Sequence, residues 1–373
     1  MIVVNVPASA PWQWIAARAS APTRPPAWHH RAMDSWKYPT LLADVGGTHI
    51  RFAICRAAHA APDLLRVLPT AAHRSLTEAA QAYLDLVGQP DGGTLARPIS
   101  AALAVATPIA AARSRPVRLT NIDFTIDGRD LIGSLELEAL WLVNDFEALA
   151  WALPTLRADE LQVIGTVAPA LDATMAVIGP GTGMGCAGLL RNAAGWQAIP
   201  GEGGHVTLSG RTAFEREVLA AAAEQMDHVS AEKLLSGIGM PLLFRAVAQV
   251  RGHEAALRPL PSPREITDAA VAGDDALCRE VVATFCALLG VYAGNVALTF
   301  GAAGGVLIGG GITAHISDLL AHSDFRRRFE DKGRFGGYLG AIGTARITRD
   351  QPALDGLVHA LGSALRSLQV QRA

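Results

Sequence analysis

The stretch Leu42-Ala43-Asp44-Val45-Gly46-Gly47-Thr48-His49-Ile50-Arg51-Phe52-Ala53 decides how this chain is read. An apolar run enters an acidic residue, crosses a glycine pair and a threonine, and leaves as a second apolar run. Two strands joined by a tight turn account for the pattern. Glycine at both turn positions permits φ > 0 and lets backbone N–H groups approach an anion closely. Asp44 can hold a hydrated divalent cation, Thr48 adds a hydroxyl and Arg51 a fixed positive charge. That set suits a polyphosphate carrying Mg²⁺. The same letters, taken alone, also describe an ordinary β-turn.

Working outward, two more glycine punctuations follow apolar runs. Gly179-Pro180-Gly181-Thr182-Gly183 comes after a strand expected over 173–178, and Gly309-Gly310-Gly311 after one over 306–308. A returning strand at 184–190 makes the second site echo the first hairpin, as two halves of a duplicated fold would. Between the first two sites, helical spacing predicts a helix over 76–87, with Leu76, Ala79, Ala80, Tyr83, Leu84 and Val87 on one face. A strand is expected at 100–106, stopped by Thr107-Pro108, with a strand pair at 117–119 and 124–126. A helix at 130–137, a strand at 140–143 ending at Asn144-Asp145 and a helix at 146–153 come next. Amphipathic stretches occupy 213–225, 231–235, 240–250 and 266–298. Strands alternate with helices throughout, so the class is α/β.

The 373 residues exceed the usual single-core size, which implies two domains. Half the residues are hydrophobic and 18% are charged, a balance that fits a large core. Lys+Arg number 32 against Asp+Glu 34, so no global charge argues for nucleic acid or a membrane surface. Cys55, Cys186, Cys278 and Cys286 form no C-x-x-C pair. A zinc site or disulfide framework is not expected, and a reducing cytoplasm is the expected setting. The run between Glu280 and Asp318 carries no Asp, Glu, Lys or Arg, but glycines at 290, 294, 301, 304, 305 and 309–311 interrupt it. It reads as a buried helix, a turn, a short strand and a loop rather than a membrane span. Residues 1–38 interleave Pro, Ala and Trp without periodicity and lack the pattern of a signal peptide. A disordered extension is expected there, with Met33 as an alternative start.

The three glycine sites, in this order, resemble the phosphate-1, phosphate-2 and adenosine motifs of the actin/hexokinase/Hsp70 ATPase superfamily. More narrowly, the chain resembles the bacterial, proteobacterial-type, non-ROK glucokinase family. The residues carrying this are Asn144-Asp145-Phe146, Pro200-Gly201-Glu202-Gly203-Gly204-His205-Val206, His228-Val229-Ser230-Ala231-Glu232 with Leu235-Ser236-Gly237, and Phe329-Glu330-Asp331-Lys332-Gly333-Arg334-Phe335. The match runs from about 41 to 350. His49 stands where that family usually has Asn, Pro180 where it usually has Ala, and Pro352 to Gly356 match its C-terminal motif only loosely. The zinc cluster of ROK proteins is absent.

The resemblance implies a two-lobed actin-like (ribonuclease H-like) fold with a cleft between the lobes. The implied division is a small α/β domain over 39–155 plus 349–373 and a large one over 156–348. It implies ATP-dependent transfer to the 6-hydroxyl of glucose, with ATP as co-substrate and Mg²⁺ as cofactor, no nucleic-acid or membrane partner, and a homodimer as a possible assembly. Asp145 is the implied general base, since transfer to a hydroxyl needs a proton acceptor beside the attacking oxygen. Its alternative is a helix N-cap. Asn144, Asp145, Glu202, His205 and Glu232 are the implied sugar ligands. Asp44, Gly46, Gly47, Thr48, Arg51, Gly181, Thr182, Gly183, Gly309, Gly310 and Gly311 are the implied ATP site, with Asp44 on Mg²⁺ through water. Arg326, Arg327 and Arg328 read as a solvated helical face, and Cys186 as a small apolar filler. A kinase of another hexose, a catalytically silent sugar-binding regulator and an ADP or polyphosphate donor are the alternatives.

Overall fold

The computed structural model describes residues 36–88, 97–106, 116–118, 124–257, 259–363 and 371–372. The expected N-terminal extension up to residue 35 and the Thr107-Pro108 stop lie outside them. The strands in chain order are β1 Thr40–Val45, β2 His49–Cys55, β3 Asp63–Pro69, β4 Ser100–Val105, β5 Val117–Arg118, β6 Thr125–Ile126, β7 Ala139–Asn144, β8 Leu161–Val163, β9 Met175–Pro180, β10 Met184–Asn192, β11 Gly195–Gly201, β12 Gly305–Ile308, β13 Thr344–Ile347 and β14 Gln371–Arg372. Among the described residues they form two six-stranded sheets, ordered β14-β7-β4-β1-β2-β3 and β11-β10-β9-β12-β13-β8, and the small pair β5-β6.

The two large sheets share one pattern. Each has an antiparallel three-strand meander, then two strands parallel to the first of them, then an antiparallel edge strand. The sequence echo between the two hairpins is thus an echo of whole sheets. Alternate residues of β1 feed two different cores, because successive side chains on a strand point to opposite faces. Leu41, Ala43 and Val45 pack with Leu76, Tyr83 and Leu131 from the helices Leu76–Val87 and Gly128–Leu135. Leu42 faces the other way, into a core shared with the second sheet through Val177, Leu189 and Leu307.

That shared core also holds the helices Asp145–Ala152 and Pro352–Ser363, which cross so closely that a Cβ on Gly356 would sit 1.9 Å from the Ala148 carbonyl oxygen. On its far side the second sheet is covered by helices including Met240–Val250 and Ala276–Phe300. Strands buried on both faces read as continuous apolar runs rather than alternating ones, as β1, β4 and β9 do.

Several expectations need correction. Gly290 and Gly294 do not interrupt the apolar run: Ala276–Phe300 is one helix of 25 residues, 83% buried over its most apolar window. The missing side chains let the segment Phe325–Glu330 press against it, since added Cβ atoms would meet the Phe325 and Phe329 carbonyl oxygens at 2.2 and 2.5 Å. The amphipathic stretch at 266–298 falls in two helices, Pro263–Ala272 and Ala276–Phe300, separated where Gly273 takes φ 81°.

The three arginines are not one solvated face. Arg328 pairs with Glu215 at 2.6 Å, both less than 8% exposed, and Arg326 donates to the carbonyls of Ile342 and Gly340 at 2.6 and 2.9 Å. Only Arg327 stands out in solvent. Strands β3, β8, β11 and β13 and the helix Pro352–Ser363 were not read from the sequence at all. β3 and β11 are mostly exposed and β8 has no buried residue, so they lack the apolar run that betrays an inner strand.

Candidate functional site

In the first sheet, β1, β4 and β7 run parallel, and their register sets Val45 beside Val105 and Val105 beside Asn144. Asp44 and Asp145 therefore emerge at the same carboxyl edge of the sheet, two strands apart. Open α/β sheets bind ligands in such crevices. Asn144 caps the helix Asp145–Ala152, its side-chain oxygen accepting from the N–H groups of Phe146 and Glu147 at 2.9 and 3.3 Å. The cap is thus Asn144 and not Asp145. Asn144 has its oxygen committed and its NH₂ available to a ligand, while Asp145 occupies the first helical position.

Burial pushes the Asp145 carboxyl up to about 6. The neighbouring negative charges of Asp44 and Glu202 push the same way, and the Phe146 N–H works against them. Burial also raises Asp44, opposed by Arg51, whose Nη1 lies 3.2 Å from its carboxylate. Two acids in one crevice, only one of them facing an arginine, leave unbalanced negative charge.

The first hairpin tip is a short turn, with Gly46 N–H donating to the His49 carbonyl at 3.0 Å. Neither Gly46 nor Gly47 has positive φ. The turn does not use the φ > 0 that glycine permits; what the two glycines supply is the absence of side chains, which leaves the backbone open to approach. Gly47, Thr48 and His49 are exposed. Thr70, fully buried, clamps the tip from behind: its hydroxyl donates to the Gly46 carbonyl and its N–H to the Thr48 carbonyl, both at 2.9 Å. Thr70 lies after β3, and no motif points to it.

In the second sheet, the Gly181–Gly183 tip is held by a different device. Gly237 N–H donates to the Gly181 carbonyl at 2.8 Å and Ile238 N–H to the Thr182 carbonyl at 3.3 Å. Gly310 is the site glycine that does take a left-handed conformation, φ 92°, and an added Cβ would lie 2.3 Å from the Pro180 carbonyl oxygen. The second and third glycine sites are thereby in contact, with Gly309 N–H on the Ile178 carbonyl at 2.8 Å. Gly311 opens a five-residue helix, and the buried Thr313 hydroxyl binds back to the carbonyls of Gly309 and Gly310.

The two halves meet at Phe146. Its ring lies over β9 and β10, where an added Cβ would sit 2.6 Å from it at Gly179 and 1.9 Å at Gly185. Asp145 is thus fixed on one side by its own strand and on the other by the neighbouring ring locked onto the second sheet.

Glu202, Gly203, Gly204 and His205 follow β11 in a short loop, with Glu202 and His205 exposed. His205 lies between two carboxylates, Nε2 3.9 Å from Glu202 and Nδ1 3.9 Å from Glu232. At that separation neither contact is a hydrogen bond, so these polar groups remain able to bond a ligand. Cys186 and Tyr292 lie beneath Gly203. Burial raises the Cys186 thiol, which keeps it protonated and unreactive, a filler as expected.

Fold and crevice together define an actin-like ATPase of the sugar-kinase class. A family model described as glucokinase matches residues 41–364. A glucokinase from Aromatoleum aromaticum is 44% identical, covering 88% of this chain and 96% of the relative. One from Chromobacterium violaceum is 42% identical, covering 89% and 91%. Among solved structures, a glucokinase from an Antarctic psychrotroph matches with a TM-score of 0.75 and 33% identity, covering 87% and 99%. A ROK-family glucokinase from Streptomyces griseus, at 17% identity and a TM-score of 0.55, shares the fold. The chain belongs to the glucokinase family.

Proposed function

We propose that Asp145 is the general base of an ATP-dependent glucose kinase, and that the carboxyl edge of β1 and β7 is where transfer occurs. The activity is that of the family; the assignment of residues to roles is our reading. The observation that carries it is the placement of Asp145, half-buried at the carboxyl edge of β7 near Asp44, where burial and that neighbouring charge push its carboxyl up to about 6. A base poised near the working pH combines an ionised population with real proton affinity. In the proposed step the glucose 6-hydroxyl oxygen attacks the γ-phosphorus of ATP, the bond to the β–γ bridging oxygen breaks, and the hydroxyl proton passes to Asp145.

Asn144, Glu202, His205 and Glu232 orient the sugar, while Gly46, Gly47, Thr48, Gly181, Thr182 and Gly183 offer backbone and hydroxyl donors to phosphates. Gly309, Gly310 and Gly311 let adenosine lie close to the backbone. Arg51 neutralises Asp44 until the nucleotide arrives. Two carboxylates facing one arginine leave a net negative charge that fits a divalent cation. Among the described residues no three or more His, Cys, Asp or Glu side chains gather into a protein-only cage. Asp44 would therefore hold Mg²⁺ with phosphates and water completing its shell. Mg²⁺ bound there would neutralise phosphate charge. The sheets serve as the cores of the two proposed lobes, small over 39–155 with 349–373 and large over 156–348, which close on the substrates and exclude water. A cytoplasmic setting accords with the reduced state of the four buried cysteines.

A coupled ADP-release assay over a panel of hexoses, with ATP, ADP and polyphosphate as donors, tests the substrate assignment. Asp145→Asn and Asp44→Asn test the roles. The first is expected to lower kcat by about 10²–10⁴ at every Mg²⁺ concentration. The second is expected to recover part of its loss at high Mg²⁺. Near-normal turnover in Asp145→Asn removes Asp145 as the base.

A further inference from the structure

The second glycine tip, Gly181–Gly183, rests on the segment that carries a proposed sugar ligand. Ser230 caps the short helix Ala231–Leu234, its hydroxyl accepting from Lys233 N–H at 3.3 Å, and this presents Glu232. The Glu232 carboxylate is divided between two neighbours. Oε2 accepts a hydrogen bond from Met184 N–H at 3.0 Å, the first residue after the tip. Oε1 is on the His205 side, 3.9 Å from Nδ1. Gly183 leaves the room for this: a Cβ there would lie 2.5 Å from Oε2.

Beyond Glu232 the chain turns at Ser236, fully buried, whose hydroxyl donates to the Glu232 carbonyl at 2.7 Å and accepts from Gly239 N–H at 3.0 Å. That turn aims Gly237 and Ile238 N–H at the carbonyls of Gly181 and Thr182. Three hydrogen bonds thus tie one tip to one segment. Burying a backbone N–H without its acceptor carries a real cost, so Glu232 cannot leave Met184 freely.

We propose that Glu232 is a joint between the two substrate sites, one oxygen holding the tip that takes the nucleotide phosphates and the other taking the sugar, so that the occupancy of each site alters affinity at the other. This rests on the assignment of sugar and nucleotide sites above. A sugar hydroxyl donating to Oε1 fixes the carboxylate plane, and that plane also fixes Met184 N–H and the tip before it. Coupling between two binding equilibria is reciprocal by linkage.

The test is calorimetric and does not use turnover. Binding of a non-hydrolysable ATP analogue with Mg²⁺ is measured in sugar-free protein, and glucose binding in nucleotide-free protein. Glu232→Ala removes both contacts, and the analogue's Kd is expected to rise about three- to tenfold without sugar present, the loss of one hydrogen bond. Glu232→Gln keeps an amide oxygen for Met184 N–H, so analogue affinity is expected within twofold of the parent while glucose binding weakens. Gly183→Ala pushes on Oε2 from the nucleotide side and is expected to weaken glucose binding with no nucleotide present. If Glu232→Ala unfolds, Gly183→Ala and Glu232→Gln carry the test. Unchanged analogue affinity in Glu232→Ala, or unchanged glucose affinity in Gly183→Ala, overturns the joint. A parent protein that binds neither probe overturns the site assignments themselves, and the joint with them.

Discussion

The two hairpin tips are the same construction put to different use. β1–β2 and β9–β10 occupy equivalent places in two sheets of the same pattern. The first tip carries charge, with Asp44 facing Arg51 across the antiparallel pair. It is exposed, and Thr70 clamps it from behind. The second tip carries no charged residue, is held by Glu232, Gly237 and Ile238, and its strands are pressed by the Phe146 ring. Repeating a sheet repeats the backbone geometry of the crevice. The chemistry comes from which outside segment reaches each tip. The first half supplies Asp44 and Asp145, the second supplies Glu202, Glu232 and the strands that pack under Phe146, and Asp145 stands where the two meet.

The sharpest way to break this picture acts on Asp145. Its carboxyl is raised from 3.8 to about 6 in the fold, so the folded protein binds that proton more tightly than the unfolded chain. The stabilisation is fully present below about pH 4 and is lost as pH rises through about 6. Asp145→Asn, which removes the buried charge, is expected to raise stability at pH 7.5 by on the order of 1–3 kcal/mol while kcat collapses. Denaturant melts of both proteins at pH 5 and 7.5 check this, and the gap should narrow at pH 5. In the parent, kcat/KM for glucose should fall tenfold per pH unit below about 6 as the base becomes protonated.

Glu202→Gln comes next. With a charged acceptor lost, the glucose KM should rise by the equivalent of about 1.5–3 kcal/mol and the ATP KM should hold. Initial-rate kinetics in both substrates read this directly, and an unaltered glucose KM would place Glu202 outside the sugar site.

Gly185→Ala against Gly47→Ala compares the two hairpins at equal chemical cost. The Gly185 Cβ would lie 1.9 Å from the Phe146 ring, whereas Gly47 has nothing within 4 Å. Overpacking should cost the first about 1–3 kcal/mol of stability and lower kcat by shifting Asp145. The second should melt like the parent. Equal melting temperatures would mean that the ring moves aside freely and does not position the base.

The smallest effect concerns the clamp on the first tip. Thr70→Val keeps shape and loses the hydrogen bond to Gly46, so the ATP KM should rise by the equivalent of about 1 kcal/mol with Thr70→Ser near the parent. A rise in the glucose KM instead would assign Thr70 to the wrong tip.

Much of this site was legible in the letters because local chemistry marks it. Asp44 and the glycine pair stand between two apolar runs, and Asn144-Asp145 end a third, so strand ends and turn residues announce a carboxyl-edge crevice. The apolar runs of β1, β4, β7 and β9 were readable for the same reason: both of their faces are buried. β3 and β11 were not, because exposed edge strands carry no such run. The three arginines at 326–328 misled because a charged run looks solvated until a partner such as Glu215, more than a hundred residues away, is brought to it.

The sequence by itself therefore determined the α/β class, the three glycine sites in their order, the acid at the end of β7 and the family. Only the tertiary structure decided that Asn144 rather than Asp145 caps the helix, that Thr70 braces the first tip, that Phe146 sits on Gly179 and Gly185, and that Glu232 reaches Met184. The cap is a local contact, Asn144 to Phe146 and Glu147, but the other three join segments far apart in the chain. A strand or turn is set by neighbours within a few residues, whereas the raised carboxyl of Asp145 depends on burial and on Asp44, 101 positions away in the chain, and exists only after the sheet has set its register.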